Sequence, residues 1–380
     1  MDKKQVAAQQ KQLMNIVINK DLQELTKIFE SNSKFNVRSL ASHEISNQAI
    51  KDSDAVFLRS TTKINEELLD NTNVKFVASL TSGEDHIDQD YFKNSNIHLS
   101  TGKGGNALAV IEYLLSVLSV LIIGNKIKPY ETKFGIIGFG NIGKRFKNIL
   151  DEINFPCCIY DPYFPKVSSS LDEVLSSEVI SLNCSYSKTG KFPSHNLLDI
   201  NFLNEMKDDQ FLINSSRGEV LSDEYYLSKK SENFIFDVWP NEPNLNLTKF
   251  KKPFIATPHI AGKTMGAEDK FIEKALGEFN QFFDENIEAV EPKKFIDFTI
   301  DNSIEEEMEI FGIPPSIFLK IYDVKRDDLA FKSFFKKQED PKDFQELRTS
   351  LKRLGFNNHK IVGDASTAAK TKLELFGFRL

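Results

Sequence analysis

The sequence predicts an α/β protein with two doubly wound parallel-sheet domains and a small α+β module at its C-terminal end. Two observations predict the sheets: short apolar runs alternate with helix-like segments, and a glycine-rich turn joins an apolar run to a helical pattern near residue 138. A change of pattern after residue 289, marked by Pro314-Pro315 and mixed charges, predicts the module. The 380 residues, 40% of them hydrophobic, are enough for two or three domains with ordinary cores.

Residues 14–106 predict the first sheet. Strand-like runs at 16–18, 55–58 and 75–80 alternate with helix-like residues, so the strands should be parallel. Arg59 and Ser60 follow the second of these runs, and Thr81 follows the third. Ligands gather beyond the carboxyl ends of parallel strands, so all three are candidates for binding a phosphate or carboxylate. Simple turn chemistry accounts for the hydroxyls equally well.

A flexible joint, Thr101-Gly102-Lys103-Gly104-Gly105-Asn106, precedes the longest apolar run, residues 108–123. That run is too short for a comfortable membrane span and contains Glu112, so it predicts a buried helix that enters a second domain, 107–263. The strands predicted in this domain are 134–137, 157–160, 179–182, 210–214, 233–236 and 254–256. The later helical pattern returns the chain to the first domain, over residues 264–288.

The glycine-rich turn has the form G-x-G-x-x-G and stands between a predicted strand and a predicted helix. This is the context of a Rossmann dinucleotide site, where glycines allow the tight turn, the approach of a pyrophosphate and the packing of helix on strand. The phosphates would lie at the positive end of the helix. The residues predicted to contact the cofactor here are Gly138, Gly140, Asn141, Ile142 and Gly143.

Asp161 ends the next predicted strand, near the position where an acidic side chain binds the adenosine ribose. A carboxylate there would repel a 2′-phosphate, and no arginine follows at once, so the sequence favours NAD. The alternative is a strand-end aspartate that caps a turn.

Three polar residues follow later strands of the second domain: Arg217, Glu242 and His259. Together they supply what a metal-free alcohol dehydrogenation needs, namely a base for the hydroxyl proton, a carboxylate that orients the base, and a cation for the substrate's carboxylate. Taken singly, each is more simply a loop or turn residue. Their grouping after a dinucleotide turn favours the catalytic interpretation.

The composition of the chain argues against several other classes of function. The formal charge of −7 is spread over mixed-sign segments, so no nucleic-acid surface is indicated. Three cysteines, Cys157, Cys158 and Cys184, form neither a metal-ligand spacing nor a disulfide framework, which suits a reducing cytoplasm and no metal. Residues 1–13 are polar and lack the apolar stretch of a signal peptide, so we expect an N-terminal extension.

Four strings resemble the D-2-hydroxyacid dehydrogenases: Gly138 to Gly143, Asn214 to Gly218, Asp237 to Pro243 and Thr257 to Gly262. Further strings are similar to a subgroup of that family that carries a C-terminal dimerisation domain and acts on a phosphorylated 2-hydroxy acid in pyridoxal phosphate synthesis. Those strings are Arg59 to Asn65, Thr81 to Asp88, Gly105 to Tyr113, Tyr322 to Asp328 and Gly363 to Ser366.

The resemblance implies an NAD-dependent oxidation in which His259 is the acid/base, Glu242 its partner and Arg217 the carboxylate-binding residue. It implies that Ser60 and Thr81 contact the substrate. It also implies a flavodoxin-like substrate domain (14–106 and 264–288), a Rossmann domain (107–263), and a homodimer formed through residues 289–380. The further positions implied to contact NAD are Asp161, Cys184, Ser215, Asp237 and Gly262.

The chain departs from the family's pattern at three places. Lys103 replaces a proline before the long helix, Asn183-Cys184-Ser185 replaces a His-x-Pro string, and Lys263 stands where the subgroup often has tyrosine. We expect both lysines, Lys103 and Lys263, to favour a phosphorylated substrate. Two alternatives stay open: another acid of the same class, such as 3-phosphoglycerate, or an NAD-sensing binding protein of the same fold.

Overall fold

The computed structural model describes residues 13–245, 250–288, 295–301, 303–334, 341–351, 353–363 and 365–380. Residues 1–12 of the expected extension, 289–294 at the start of the predicted C-terminal domain, and Asp364 of the C-terminal string lie outside the described residues. The chain forms two compact units. One contains residues up to Gly105 together with 268–288, and the other contains Asn106–Ala267 together with the described residues from 295 onward.

The first unit contains a five-stranded parallel sheet in the order β2-β1-β3-β4-β5. This is the flavodoxin-like order. The elements up to residue 101 are β1 (Met14–Asn19), α1 (Gln23–Glu30), β2 (Phe35–Leu40), α2 (Asn47–Ile50), β3 (Ala55–Leu58), α3 (Glu66–Leu69), β4 (Phe76–Ser79), α4 (Gln89–Asn94) and β5 (His98–Thr101).

The second unit contains a six-stranded parallel sheet in the order β11-β10-β9-β8-β6-β7. The order reverses at β6, which pairs with β7 on one side and β8 on the other. Its elements, in chain order, are α5 (Ala107–Ile123), β6 (Phe134–Ile137), α6 (Asn141–Glu152), β7 (Cys157–Tyr160), α7 (Leu171–Leu175), β8 (Val179–Leu182), α8 (Ile200–Glu205), β9 (Phe211–Asn214), α9 (Glu224–Leu227), β10 (Phe234–Phe236) and β11 (Ile255–Ala256). The next helix, α10 (Met265–Phe283), belongs to the first unit from Glu268 onward.

The C-terminal residues form a small α+β arrangement in which two short strands pair in parallel. Its elements are β12 (Ile296–Thr299), α11 (Ser303–Phe311), α12 (Pro315–Ile321), α13 (Val324–Phe334), α14 (Pro341–Ser350), β13 (His359–Val362) and α15 (Thr367–Phe376). Its buried side chains, such as Phe318 and Leu373, belong to the same apolar cluster as Leu114 of α5 and Ile149 of α6. The C-terminal residues therefore share a core with the nucleotide-binding sheet.

The predicted fold class is confirmed: the protein is α/β, with two doubly wound parallel sheets and a small third sheet. The long apolar run forms α5, which is buried along nearly its whole length, as predicted. No helix in the described ranges combines the length and apolar character needed to cross a membrane.

Candidate active site

The glycine-rich turn follows β6, where the strand order of the sheet reverses and where ligands of such sheets bind. Gly138 has a φ of 98°, and a Cβ there would lie 2.6 Å from the backbone nitrogen of Cys184. A Cβ at Gly143 would lie 1.9 Å from the carbonyl oxygen of Gly138, so α6 packs this closely only because the residue is glycine. A Cβ at Gly140 would meet no described heavy atom within 4 Å. The turn is therefore tight where it packs and open at Gly140.

The residues around this turn fit a bound dinucleotide. Gly140 is the N-cap of α6 and has no side chain to cap it, so amides of the first turn, which includes the exposed Asn141 and the half-buried Ile142, are available to an anion. Ser215, after β9, has a buried hydroxyl with no hydrogen-bond partner in the described part of the chain. A pyrophosphate could approach Gly140, and a polar group of the cofactor could satisfy Ser215.

Asp161 lies just beyond β7 and is 8% exposed. Its Oδ2 accepts a hydrogen bond of 2.7 Å from the amide of Phe139 in the glycine turn, and its Oδ1 accepts one of 2.9 Å from the amide of Tyr163. Each carboxylate oxygen has a second lone pair, so binding of ribose hydroxyls stays compatible with this geometry. The bond from Tyr163 is the turn cap that the sequence offered as the alternative, and the bond from Phe139, which fixes the glycine turn against the loop after β7, was not indicated by the sequence.

Cys184 lies half-buried after β8. Burial raises the pKa of its thiol to about 11, so the side chain is neutral at pH 7. Its backbone nitrogen faces Gly138, so the backbone of this residue forms one wall of the glycine turn. The neutral thiol of Cys184 contributes no charge at this wall, and Asn183, rather than Cys184, stands at the position of the family's histidine.

Arg217 follows β9, and its turn packs directly on the turn that carries Glu242. A Cβ at Gly218 would lie 2.2 Å from the carbonyl carbon of Trp239, so glycine is required for this approach. The amide of Asn241 donates a hydrogen bond of 3.1 Å to Glu219 across the same contact. The guanidinium of Arg217 is half-buried and donates to the carbonyl of Ser216 at 2.7 Å.

Glu242 and His259 form a direct pair. Oε2 of Glu242 lies 2.5 Å from Nδ1 of His259, and its Oε1 accepts a hydrogen bond of 2.8 Å from the amide of Trp239. Burial raises the pKa of Glu242, but the charge and hydrogen bond of His259, the Arg348 guanidinium and the Trp239 amide together hold that pKa below its usual value. An ionised Glu242 accepts from Nδ1–H, which leaves the Nε2 lone pair of His259 to take a proton.

The backbone of His259 is held in an unusual conformation. Its φ is 54°, in the left-handed region, and this conformation costs a residue other than glycine about 1–2 kcal/mol. Asp237 holds the loop in place: its carbonyl accepts from the amide of His259, and its carboxylate accepts from the amides of Ile260 and Ala261 at 2.8 and 2.9 Å. Asp237 is 1% exposed, and both of its carboxylate oxygens accept hydrogen bonds from the loop. Any contact with NAD would be additional to these bonds.

Two further predicted residues follow the histidine. Gly262 packs on Asn106, whose side-chain nitrogen would lie 2.3 Å from a Cβ at position 262. Nζ of Lys263 donates a hydrogen bond of 2.7 Å to the carbonyl of Arg348 in α14. The ammonium that we expected to favour a phosphate is thus engaged with the C-terminal segment, and its role toward substrate stays a prediction.

The substrate-binding candidates of the first unit lie beyond neighbouring strands. β3 and β4 are paired, with Leu58 opposite Ser79, so Arg59 and Ser60 emerge beside Thr81 at one edge of the sheet. Ser60 is exposed, Thr81 is half-buried, and the Arg59 guanidinium is 3.6 Å from Glu268. The expected convergence of these residues at one sheet edge is present.

Reasoning from the sequence missed two arginines beside the histidine loop. Nε of Arg348 donates to the carbonyl of His259 at 2.8 Å, and Nη2 of Arg353 donates to the carbonyl of Ala261 at 2.6 Å. The two arginines lie 89 and 92 positions along the chain from their acceptors. No local pattern marks them, because the contact exists only in the folded chain.

Comparison with known proteins identifies the family. The profile described as "D-isomer specific 2-hydroxyacid dehydrogenase, NAD binding domain" matches residues 124–261. The chain is 32% identical to an erythronate-4-phosphate dehydrogenase from Hahella chejuensis over 367 residues, which cover 92% of this chain and 94% of that one. The chain belongs to the erythronate-4-phosphate dehydrogenase family. A relative of the same name from Psychromonas ingrahamii is 30% identical over 96% of both chains.

Membership of this family confirms the predicted resemblance to D-2-hydroxyacid dehydrogenases, the predicted class of enzyme and the predicted cofactor. The protein is an NAD-dependent 2-hydroxyacid dehydrogenase. The matched profile includes the glycine turn, Arg217, Glu242 and His259.

Solved structures share the fold. A formate dehydrogenase from Staphylococcus aureus in complex with NAD has a TM-score of 0.58 at 22% identity, covering 71% of this chain and 96% of that one. A 3-phosphoglycerate dehydrogenase from Entamoeba histolytica with bound NAD+ has a TM-score of 0.56 at 21% identity, covering 74% and 99%. More than a quarter of this chain therefore lies outside what these structures match.

Proposed function

We propose that the protein oxidises 4-phospho-D-erythronate to (R)-3-hydroxy-2-oxo-4-phosphooxybutanoate, a step in the synthesis of pyridoxal 5′-phosphate. The Glu242–His259 pair, with Nδ1 and Oε2 2.5 Å apart, is the observation that carries the proposal, because it is the acid–base part of such an oxidation. The names of relatives that match almost the whole chain supply the substrate.

In this proposal His259 and Arg217 act on the two ends of the reacting group. Arg217 holds the substrate's carboxylate through its planar guanidinium. Nε2 of His259 takes the proton of the C2 hydroxyl, and the hydrogen on C2 leaves with its electron pair, so a carbonyl forms at C2. NAD supplies the acceptor for that hydride. Glu242 keeps the imidazole in the required tautomer and stabilises its charged form.

The remaining assignments belong to the same proposal. Asn141, Ile142, the backbone at Cys184, Ser215 and the glycine turn contact the cofactor. Ser60, Thr81, Arg59 and Lys263 contact the substrate. The protein assembles as a homodimer through residues 289–380 and acts in the cytoplasm. Each of these stays a prediction.

NADH fluorescence after mixing the protein, NAD and 4-phospho-D-erythronate tests the proposed reaction, first alone and then with a 2-oxo acid as acceptor. We expect NADH to form with this acid and not with 3-phosphoglycerate. His259→Asn keeps a hydrogen-bonding group near the position of Nδ1, and should lower turnover by about 10³-fold because no base remains. His195→Asn, the same substitution at an exposed histidine, serves as a matched control.

Two results would change the proposal. NADH formation with 3-phosphoglycerate at an equal or greater rate would replace the substrate while keeping the reaction. Tight binding of NADH with no turnover of any 2-hydroxy acid would favour the NAD-sensing binding protein instead.

A further inference from the structure

The loop that carries His259 is held from two opposite sides. Its amide groups, at His259, Ile260 and Ala261, donate to the main chain and carboxylate of Asp237. Its carbonyl groups, at His259 and Ala261, accept from the C-terminal clamp, by which we mean Arg348 and Arg353. The peptide groups of the loop therefore lie between a carboxylate that follows β10 and two guanidinium groups from the C-terminal segment.

The main chain of each clamp arginine also accepts a hydrogen bond from a residue that follows the loop. Nζ of Lys263 donates to the carbonyl of Arg348 at 2.7 Å, and the amide of Met265 donates to the carbonyl of Arg353 at 3.1 Å. Each clamp arginine thus gives a side-chain hydrogen bond to the loop and receives one at its own main chain. Four hydrogen bonds fix Arg348 and Arg353 against residues 259–265.

His259 needs such restraint because its left-handed backbone is unfavourable for a residue with a side chain. Strained residues persist at active sites where surrounding contacts determine the conformation. Asp237 fixes the amide of His259 and Arg348 fixes its carbonyl, so the two peptide planes that flank the Cα are both held. The direction of the imidazole depends on those planes.

We propose that Arg348 is a positioning residue for the oxidation, which sets the direction of His259 by holding its carbonyl oxygen. The inference rests on the proposed role of His259 as the base. Arg348 acts through the main chain of His259. Its guanidinium also favours the ionised form of Glu242, so it supports both members of the catalytic pair.

Arg353 is less suitable for a test, although it belongs to the same clamp. It is 5% exposed, donates also to the carbonyl of Ala109, and lies 4.2 Å from the centroid of the Tyr322 ring. Its removal would disturb the core as well as the loop. Arg348 is only half-buried on α14, so its replacement disturbs the core less, and Arg348→Lys separates the loss of its charge near Glu242 from the loss of its side chain.

The test compares Arg348→Met, which keeps the aliphatic stem, with Arg348→Lys, which keeps the charge, and with Glu346→Gln on the exposed face of the same helix. Turnover of 4-phospho-D-erythronate is measured with hydrogen and with deuterium at C2. We expect Arg348→Met to lower kcat about 10- to 100-fold, with KM for NAD within about twofold, because a misdirected base slows chemistry and leaves cofactor binding intact. The isotope effect on kcat should rise, and Arg348→Lys should recover part of the rate.

A loss of folded protein alone would lower kcat without changing the isotope effect. Wild-type kcat in Arg348→Met, or a reduced kcat with an unchanged isotope effect, would overturn the inference. If Arg348→Met does not fold, Arg348→Gln carries the same comparison. His259→Asn distinguishes failure of the proposed base from failure of the proposed positioning role. If His259→Asn retains turnover, His259 is not the base. If His259→Asn loses turnover and Arg348→Met does not, His259 is the base and Arg348 does not position it.

Discussion

Gly140 and Gly143 belong to the same turn and are required for different physical reasons. A Cβ at Gly143 would overlap the carbonyl oxygen of Gly138, so the missing side chain allows the helix to pack on the strand. A Cβ at Gly140 would meet nothing within 4 Å among the described residues, so its missing side chain leaves space on the outside of the turn. The sequence motif requires glycine at both positions, and only the packing in the folded chain shows that the reasons differ.

Alanine should therefore affect stability at one position and cofactor binding at the other. Gly143→Ala should lower the free energy of unfolding by about 3 kcal/mol, because backbone must move to admit the methyl group. Gly140→Ala should leave that free energy within about 0.5 kcal/mol and raise the Kd for NADH at least about tenfold, since the methyl group stands where a phosphate approaches. Denaturant titration and NADH fluorescence measure the two quantities.

Equal affinity for NADH in the wild-type protein and Gly140→Ala would contradict this division of roles. Gly277→Ala, in α10, provides the control for substitution in open space, since a Cβ there also has no described neighbour within 4 Å.

Residue types and spacing were sufficient to place the glycine turn, Asp161, Arg217, Glu242 and His259 after strands, because the apolar pattern of those strands is evident. The roles of these residues stay predictions. The second role of Asp237, as the anchor of the histidine loop, could not be predicted. A buried aspartate and a cofactor-binding aspartate look the same in sequence, and the difference lies in three donors that only the fold brings near.

Among the elements, the short strand β11 is held by contacts with other elements on both sides. It has two residues and lies at the edge of the sheet, paired on one side with β10. On its other side, Oδ1 of Asp328 in α13 accepts a hydrogen bond of 2.8 Å from the amide of Ala256, and Lys332 pairs with the same oxygen at 2.8 Å. A side chain thus occupies the position that another strand would take, and the edge is covered by a helix. The strand leads to His259 within three residues.

Removal of this carboxylate should destabilise the protein. Asp328→Ala leaves the Ala256 amide buried without an acceptor and should lower the free energy of unfolding by about 2–3 kcal/mol. Asp328→Asn keeps an oxygen at the same place and should cost about 1 kcal/mol, chiefly through loss of the pairing with Lys332. Denaturant unfolding of the three proteins measures the difference. A change below about 0.5 kcal/mol in Asp328→Ala would show that the amide finds another partner.

In the five-stranded sheet, the two edge strands were the ones that the sequence did not reveal, whereas β7 and β11 at the edges of the six-stranded sheet were predicted. The sequence predicted β1, β3 and β4, which are buried on both faces, but β2 and β5 at the two ends of the same sheet were not identified. β2 has only one fully buried residue, Phe35, and β5 reads His-Leu-Ser-Thr. A strand paired on one side retains polar residues, so its apolar pattern is weak.

At the scale of the whole molecule, the second unit is assembled from two separate parts of the chain. Phe318 and Phe376 of the C-terminal part lie in the same apolar cluster as Leu114, Leu118 and Ile149. The C-terminal residues also include β12 and β13, which pair with each other in a sheet of their own. The sequence predicted this region as a separate module, and its shared core is a property of the fold.

A chain that ends at residue 288 should therefore fail to form a stable second unit. Loss of the C-terminal part would expose apolar side chains of α5, and we expect aggregation or non-cooperative unfolding with no measurable NADH binding. Analytical sedimentation and thermal unfolding of the shortened chain measure this. The full-length variant Leu329→Ser, which changes a residue that is 71% exposed, controls for simple loss of an apolar surface. A soluble shortened protein with wild-type affinity for NADH would contradict the prediction.

The clamp on the histidine loop also bears on the order in which the protein becomes active during synthesis. A ribosome releases His259 well before Arg348 and Arg353, so the nascent chain contains the proposed base before the hydrogen bonds to the carbonyls of its loop can form. The nucleotide-binding sheet can begin to form as its strands emerge, since domains fold as their residues become available. We expect turnover to begin only after the last part of the unit has been made. Products that terminate between residues 259 and 348 would contain both Glu242 and His259, and we expect them to be inactive.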